Sequence, residues 1–305
     1  MCRKSIYVFI CAVLTIMLAL VGCSSDTQTG GQTNAMKIAI GSKDYTENML
    51  CAEIMARLLE ENLGATVERN HNMAPTVVWE SMKNGFLQLC PEFTSTILMD
   101  YFKMGRIDDP VECYAFLSEK LKTDYQMTYL PSFGFKNDYA IAVSRKLSEE
   151  KNLTKVSDLI PVANELVFGA EHNYFTRPDG FDNVQKIYGW EFKDLKKVTV
   201  SLKYQAAGQG DIDVILVFTT DAAIYQEDLV VLEDDKHAFV TYYCGPLIRD
   251  DIIAEHPEFK MELEKLAGKI DEAKMRQLNA KVDIEGKTLT EVADEFLIDA
   301  GLVIK

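Results

Sequence analysis

Two segments of the chain repeat the same arrangement of residue types, and this repeat constrains the fold more than any other feature. Gly85 precedes a strand-like run, Phe93 stands eight residues later, and hydroxyl residues follow where a helix can start. Gly210 and Phe218 show the same spacing. Open α/β sheets bind ligands where strand ends face a helix N-terminus, so two such ends predict two lobes with a cleft between them. A chance match between two runs of high β-propensity is the alternative.

Predicted strands and helices alternate on both sides of this repeat. Residues 37–40 predict a buried strand that ends at Gly41, and the spacing of Asp44 and Glu47 predicts a capping box at the start of a helix. Further strands are predicted at 65–69, 86–90, 139–143, 166–169, 198–200, 213–217 and 229–232. Further helices are predicted at 75–84, 181–188, 204–207 and 221–225, with a helical block from Pro257 onward that has to pack on the first lobe. This alternation is typical of an α/β fold with largely parallel sheets.

The N-terminus predicts export and a lipid anchor. Two basic residues precede an apolar run over 5–21, and the run ends in Leu-Val-Gly before Cys23. A basic head, an apolar stretch and small residues before the cut are typical of a secretory signal peptide, here 1–22. The ending resembles the bacterial lipobox, which implies that Cys23 carries the lipid, and the polar residues that follow predict a flexible tether over 23–36. An uncleaved membrane anchor is the alternative, although the run is marginal for a span of about 20 residues.

Charge, cysteine spacing and missing motifs exclude several classes of function. The formal net charge of -15 argues against a surface for nucleic acid or anionic lipid. Four cysteines, Cys51, Cys90, Cys113 and Cys244, remain beyond Cys23 at spacings that form no metal pattern, and we expect them to be buried free thiols. No G-x-S-x-G, H-E-x-x-H or complete P-loop is present. The chain is therefore predicted not to be an enzyme and to need no cofactor, with a cysteine nucleophile as the remaining enzymatic alternative.

Seven short motifs, read in order, resemble the glycine betaine/carnitine/choline-binding proteins of osmoprotectant ABC importers. They are IGSKDYTE at 40–47, PEFTST at 91–96, NDYAIA at 137–142, LVFG at 166–169, RPDG at 177–180, FTTD at 218–221 and LVVLEDDKH at 229–237. The resemblance covers essentially all of 37–305. It implies a two-lobed periplasmic-binding-protein fold of type II with a ligand cleft between the lobes. The first lobe is expected to comprise 37–136 and 241–305 and the second 137–240, with hinge crossings near 135–137 and 240–242.

The resemblance also implies which residues bind the ligand. Family members hold a trimethylammonium group in an aromatic cage and its carboxylate against basic and hydroxyl side chains. The implied cage residues are Phe93, Tyr139, Phe218 and Tyr242. The implied carboxylate contacts are Lys43, Thr96 and Arg177, and Asn137 is implied to contact the cation through its backbone. Taken singly, each ring is also compatible with an ordinary core aromatic, and Arg177 with a surface salt bridge.

Elementary chemistry is consistent with this set of residues. A quaternary ammonium has no N–H donor, so only dispersion and the negative faces of aromatic rings can hold it, whereas a carboxylate suits the planar fork of arginine. Phe93 and Phe218 stand where family members commonly have tyrosine, which keeps two ring faces but loses two hydroxyls. The preferred ligand stays open among glycine betaine, carnitine, proline betaine and choline, with a carboxylated betaine expected ahead of choline.

The implied function is that of an extracytoplasmic solute-binding protein. Anchored at the outer face of the cytoplasmic membrane, in an extracellular or periplasmic location, the chain is expected to deliver its ligand to an integral permease driven by a cytoplasmic ATPase. A binding protein of the same fold for another small solute, such as ergothioneine or an amino acid, is the main alternative. A structural or adhesive role would predict no closure of the cleft around a small molecule.

Overall fold

The computed structural model describes residues 36–176 and 180–304, with Asn173, Val200 and Ser201 described by their backbone only. The predicted signal peptide, Cys23 and all of the tether before Met36 lie outside these residues, as does Arg177. The described residues belong to one compact unit, Met36–Lys305. None of the helices in these ranges has the length and apolar character needed to cross a bilayer.

Ten strands build two sheets in the described part of the chain. They are β1 (Lys37–Lys43), β2 (Thr66–Met73), β3 (Leu89–Phe93), β4 (Met127–Tyr129), β5 (Tyr139–Ser144), β6 (Val167–Ala170), β7 (Asp194–Lys197), β8 (Val214–Phe218), β9 (Leu229–Val231) and β10 (Cys244–Arg249). The first sheet has the order β2-β1-β3-β10-β4 and the second β7-β6-β8-β5-β9. In each sheet only the strand in fourth place is antiparallel to its neighbours. The expectation of an α/β fold with largely parallel sheets is confirmed.

Helices flank both sheets. They are α1 (Thr46–Leu63), α2 (Pro75–Asn84), α3 (Thr94–Thr96), α4 (Pro110–Lys120), α5 (Arg145–Lys151), α6 (Phe181–Tyr188), α7 (Val200–Gln209), α8 (Ala222–Gln226), α9 (Asp250–Glu255), α10 (Pro257–Leu263), α11 (Glu272–Asp283) and α12 (Leu289–Asp299). A π-helical turn, Ile97–Tyr101, continues α3, and a second, Leu121–Tyr125, continues α4. Short 3₁₀ turns lie at Val156–Leu159, Ala163–Glu165, His172–Phe175 and Glu264–Leu266.

The first sheet buries an apolar face against α1 and the C-terminal helices. Leu50 and Ile54 of α1 belong to one core cluster with Phe259 of α10 and Phe296 of α12. The C-terminal helices therefore pack against the same core as α1 and the first sheet. A separate cluster around Trp79 covers the opposite face of this sheet, and two further clusters cover the second sheet. Apolar faces buried on both sides give each sheet the layered packing of an α/β lobe.

Two parts of the strand pattern were not predictable from residue type. The strand expected at 198–200 is wrong, because β7 ends at Lys197 and α7 begins at Val200. β7 is mostly exposed and charged, so it lacks the apolar alternation that marks a strand. The sequence of β10 contains Gly245-Pro246, a pair that ordinarily indicates a turn.

The two segments expected to cross between the lobes lie side by side. Asn137 N donates to Tyr242 O at 3.1 Å, and Lys136 pairs with Tyr243 in an isolated antiparallel bridge. β5 follows the first segment and β10 follows the second. These are the two strands that run antiparallel in their sheets, which places the crossing ribbon between the two sheets.

Candidate functional site

A cavity of about 460 Å³ lies beside this crossing ribbon. Six of the eight predicted ligand contacts line it, namely Phe93, Thr96, Asn137, Tyr139, Phe218 and Tyr242. Tyr45 and Asp221 complete the lining. The cavity is therefore lined by three phenylalanine or tyrosine rings from the two sheets and by a fourth from the crossing ribbon.

The repeat seen in the sequence positions two of these rings. β3 ends at Phe93 and β8 ends at Phe218, and a helix starts within four residues of each. Gly85 and Gly210 end the preceding helices in the left-handed conformation, with φ of 82° and 79°, which glycine adopts at little cost. The two segments thus share a helix end, a strand and a second helix start, and both strand ends face the cavity.

Cross-strand pairing places Tyr139 against Phe218. Tyr139, the first residue of β5, is directly opposite Phe218, the last residue of β8. Their rings stack with centroids 4.5 Å apart and an interplanar angle of 27°. Opposed residues of an antiparallel pair are close enough for such contacts, so the sheet itself fixes two adjacent walls of the cavity.

Lys43 is placed differently from the other predicted contacts. Only 4% of Lys43 is exposed, and its ammonium is paired with the buried carboxylate of Glu92. Lys43 Nζ lies 5.3 Å from the centroid of the Phe93 ring, and Glu92 also accepts a hydrogen bond of 2.9 Å from Tyr101 Oη. Lys43 therefore stands behind Phe93 rather than in the lining, and its contact with a ligand carboxylate stays a prediction. Arg177 lies outside the described residues.

Asp221 is a lining residue that the sequence interpretation missed. It occupies the same place after Phe218 that Thr96 occupies after Phe93, so the repeat itself carried the signal. Its carboxylate accepts a hydrogen bond of 3.1 Å from Phe218 N and another from Tyr204 Oη. Burial raises the pKa of Asp221. The other missed lining residue, Tyr45, precedes α1 and is 37% exposed, which places an additional ring at the mouth of the cavity.

The capping box predicted at the start of α1 is wrong. Tyr45 occupies the N-cap position without a side-chain cap, and Glu47 is turned into the interior, where it is 4% exposed. Glu47 Oε1 accepts 2.8 Å from Asn137 Nδ2, and Oε2 accepts 3.2 Å from Asn279 Nδ2. Burial raises the pKa of Glu47 from its usual 4.5 to about 7, and the hydrogen bonds only partly oppose this rise. Glu47 thus bonds to two asparagines that are distant in sequence instead of capping the N-terminus of its own helix.

A second carboxyl group braces the crossing ribbon. Asp138 Oδ1 accepts 2.7 Å from Tyr242 N, and Thr219 Oγ1 both accepts from Asp138 N at 3.1 Å and donates to Lys136 O at 2.6 Å. Burial raises the pKa of Asp138 to about 6. These bonds attach the turn after β8 to the ribbon at the back of the site.

A larger cavity, of about 1150 Å³, lies on the other side of the ribbon. Lys136, Asp138 and Thr241 line it, whereas Asn137 and Tyr242 line the smaller one. Alternate residues of an extended chain point to opposite sides, so the ribbon separates the two cavities. The larger one is lined by charges of both signs, such as Arg106 with Asp108. Of the four predicted cage rings, Tyr139 also lines the larger cavity, whereas Phe93, Phe218 and Tyr242 do not.

The four cysteines within the described residues are not placed to act as nucleophiles or metal ligands. Cys51, Cys90, Cys113 and Cys244 are all buried and free of disulfides, as expected. Burial raises the pKa of the Cys90 and Cys244 thiols, which opposes formation of the nucleophilic thiolate. No group of three metal-ligating side chains occurs within 36–176 and 180–304.

The chain is similar in sequence and in fold to known proteins. Residues 36–299 match the family described as the substrate binding domain of the ABC-type glycine betaine transport system. The chain is 32% identical to the carnitine transport binding protein OpuCC of Listeria monocytogenes, over 97% of this chain and 96% of the relative. It is 30% identical to the ergothioneine transport permease/ergothioneine binding protein EgtU of Helicobacter pylori, over 87% of this chain and 48% of that protein. A crystal structure of a glycine betaine/carnitine/choline ABC transporter protein, 28% identical, matches with a TM-score of 0.84 over 87% of this chain and 99% of the other.

Proposed function

The chain belongs to the family of substrate-binding domains of ABC-type glycine betaine transport systems, and from this premise we propose that it captures a quaternary ammonium compound in the ring-lined cavity for import. Members of this family bind solutes for ABC transporters, so an enzymatic role is excluded. The observation that carries the proposal is the convergence of Phe93, Tyr139, Phe218 and Tyr242 on one cavity.

The four rings supply the chemistry that a trimethylammonium group requires. Each desolvated ring face contributes about 0.5 to 2 kcal/mol to holding a cation, so several rings are needed for useful affinity. The volume of about 460 Å³ is within the range of small-ligand sites, about 300 to 1,000 Å³. Asp221 adds an acidic side chain to the same wall, which favours a cation over a neutral solute of similar size.

A carboxylated betaine is the proposed preference within this class. Arg177 is the proposed carboxylate contact, assisted by Thr96, which lines the cavity. Lys43 can take part only if its ammonium shares its charge between Glu92 and the ligand, since the two side chains are already paired. Asn137 is proposed to contact the cation through its backbone.

Closure of two lobes around the ligand is the proposed mechanism. The first lobe comprises 37–136 and 241–305, the second 137–240, and the paired crossings act as the hinge. Closure sequesters the cation from water, which strengthens its interaction with the rings, and presents a closed surface to an integral permease driven by a cytoplasmic ATPase. We place the protein at the outer face of the cytoplasmic membrane, held by a lipid on Cys23 after removal of a signal peptide over 1–22.

Ergothioneine is the second candidate ligand. The similarity to a protein named for ergothioneine binding covers 87% of this chain. Ergothioneine is itself a betaine, so the same rings could hold its trimethylammonium group, and Phe93 and Phe218 leave the polar rim of the cavity different from a cage built of tyrosines. A free amino acid is the third candidate, and it would gain less from the rings because its ammonium can be held by hydrogen bonds.

Isothermal titration of the unit Met36–Lys305 tests the proposal. The panel is glycine betaine, carnitine, proline betaine, ergothioneine, choline and free histidine in one buffer. We expect saturable binding of at least one quaternary compound and weaker binding of histidine. Tighter binding of histidine than of every quaternary compound, or no heat from any of them with folded protein, would contradict the proposal.

A further inference from the structure

Glu47 joins separate parts of the chain directly behind the ring-lined cavity. The residue belongs to the first turn of α1, and its two oxygens accept from Asn137 in the crossing ribbon and from Asn279 in α11. Asn279 Nδ2 also donates to Thr220 O at 3.0 Å. One buried carboxyl group thus connects a first-lobe helix, the ribbon, the C-terminal block and the turn that follows β8.

Two of these connections end at walls of the cavity. Asn137 lines it, and Thr220 immediately precedes Asp221, which lines it as well. We propose that Glu47 is a positioning residue for cation binding, whose ionised carboxylate holds Asn137 and the Thr220 turn in place and whose ionisation is favoured when a cation occupies the cavity. This inference rests on the proposed function, since it requires a cationic ligand.

The hydrogen-bonding capacity of the network depends on the protonation of Glu47. The ionised carboxylate accepts from both amides, whereas protonation turns one oxygen into a donor. Asn137 Oδ1 and Asn279 Oδ1 are buried and have no hydrogen-bond partner in the described part of the chain. Either oxygen could accept that proton if its amide group rotated, and this rotation would withdraw the present N–H···O bond. The side chain of Thr220 is also hydrogen-bonded to Glu47, and its hydroxyl can accept the proton as well. Protonation therefore reorients at least one of the three side chains of Asn137, Asn279 and Thr220.

The groups around Glu47 keep this equilibrium near neutral pH. Asp221 lies in the turn after β8, and its negative charge disfavours ionisation of Glu47. Cys244 faces it from β10 and Tyr45 from the start of its own helix, and on α11 the guanidinium of Arg276 donates to Thr219 O at 2.5 Å. With burial as the largest cause, the pKa of Glu47 is raised to about 7.

A permanent cation in the cavity should lower that pKa, because opposite charges favour the ionised form of a carboxyl group. Coupling between two sites is reciprocal, so the ionised protein must bind the cation more tightly. We expect affinity to rise about three- to tenfold from pH 6 to pH 8. At pH 7 binding should release a fraction of a proton. Choline has no group that titrates in this range, so the change would belong to the protein.

Titration calorimetry at pH 7 in phosphate and in Tris tests this inference, with glycine betaine, carnitine and choline as probes. Proton release makes the observed enthalpy differ between two buffers of different ionisation enthalpy. We expect a difference with the wild-type protein, its loss in Glu47→Gln, and its retention in Asp138→Asn, a matched control at the neighbouring raised carboxyl group. The pH profile of affinity should flatten in Glu47→Gln alone.

The outcomes separate this inference from the proposed function. Binding with equal enthalpies in both buffers and with an affinity independent of pH overturns the role of Glu47 and leaves the proposed function intact. If proton release persists in Glu47→Gln, the proton comes from another group, and the inference is likewise overturned. Folded protein that binds none of the probes at pH 6 or pH 8 overturns both. Equal enthalpies in the two buffers with the wild-type protein overturn the inference even if Glu47→Gln does not fold.

Discussion

Replacing Tyr139 by alanine removes one wall of the cavity and the support of a neighbouring ring. The Tyr139 ring lines the cavity, and it also stacks on Phe218 with the centroids 4.5 Å apart. The alanine variant therefore lacks one face of the proposed cage and leaves a second face, that of Phe218, without its support. A loss of affinity larger than that expected for one ring follows from this geometry.

The magnitude can be worked out from the two contacts. A desolvated ring face is worth about 0.5 to 2 kcal/mol to a bound cation. The variant loses the face of Tyr139, and displacement of the unsupported Phe218 ring weakens a second face of similar worth. Together the two faces predict a loss of about 1 to 4 kcal/mol, or an increase in Kd of about 5- to 1,000-fold. Tyr139→Phe retains the ring and should stay within about threefold of the wild type.

Titration calorimetry with the tightest ligand of the panel measures the change. Tyr225→Ala is the matched control. Tyr225 lies in α8, which contacts β9 of the same sheet, but it is 66% exposed and does not line the cavity. Thermal unfolding checks that each variant is folded. An unchanged Kd in folded Tyr139→Ala would remove this ring from the cage and refute the reasoning.

Three further predictions concern the carboxylate, the buried acid and the backbone. Arg177→Ala should weaken a carboxylated betaine far more than choline in parallel titrations, and equal losses would contradict the carboxylate assignment. The raised pKa of Glu47 means that its protonated form is favoured by folding, so its contribution to the free energy of unfolding is greatest below pH 4.5 and falls as pH rises to about 7. Urea unfolding at pH 4.5 and at pH 8 should therefore show the free energy of unfolding of Glu47→Gln rising by about 3 kcal/mol relative to that of the wild type. No change in this difference between the two pH values would mean that Glu47 titrates normally. Gly134→Ala should lower the melting temperature by several degrees, because φ is 120° and a Cβ would lie 2.8 Å from Ile270 O; an unchanged melting temperature would show that the backbone relaxes there.

The parts of the site that were predictable share a local signal. Phe93 follows Gly85, and Phe218 follows Gly210, at the same spacing. Each glycine ends a helix before a strand, and such a helix end can be predicted from neighbouring residues alone. The structure places both phenylalanines at strand ends on one cavity. Asp221 could have been predicted in the same way, because it holds in the second copy of the repeat the position that Thr96 holds in the first.

The parts that were missed depend on contacts between distant residues. Glu47 was interpreted as a helix cap, yet its partners Asn137 and Asn279 are 90 and 232 positions away. Similarly, the ammonium of Lys43 is paired with a carboxylate 49 positions on. β10 pairs with β3 and β4 after the chain has returned from the second sheet, so its Gly-Pro sequence gave no local indication of a central strand. Tertiary pairing decided each of these cases.

A crystal structure of the protein with its tightest quaternary ligand tests the proposed cage most directly. We expect the ligand nitrogen within about 6 Å of the ring centroids of Phe93, Tyr139, Phe218 and Tyr242, and, for a betaine, its carboxylate directed toward Arg177. A ligand in the larger cavity across the ribbon, or a nitrogen remote from these four rings, would contradict the proposal.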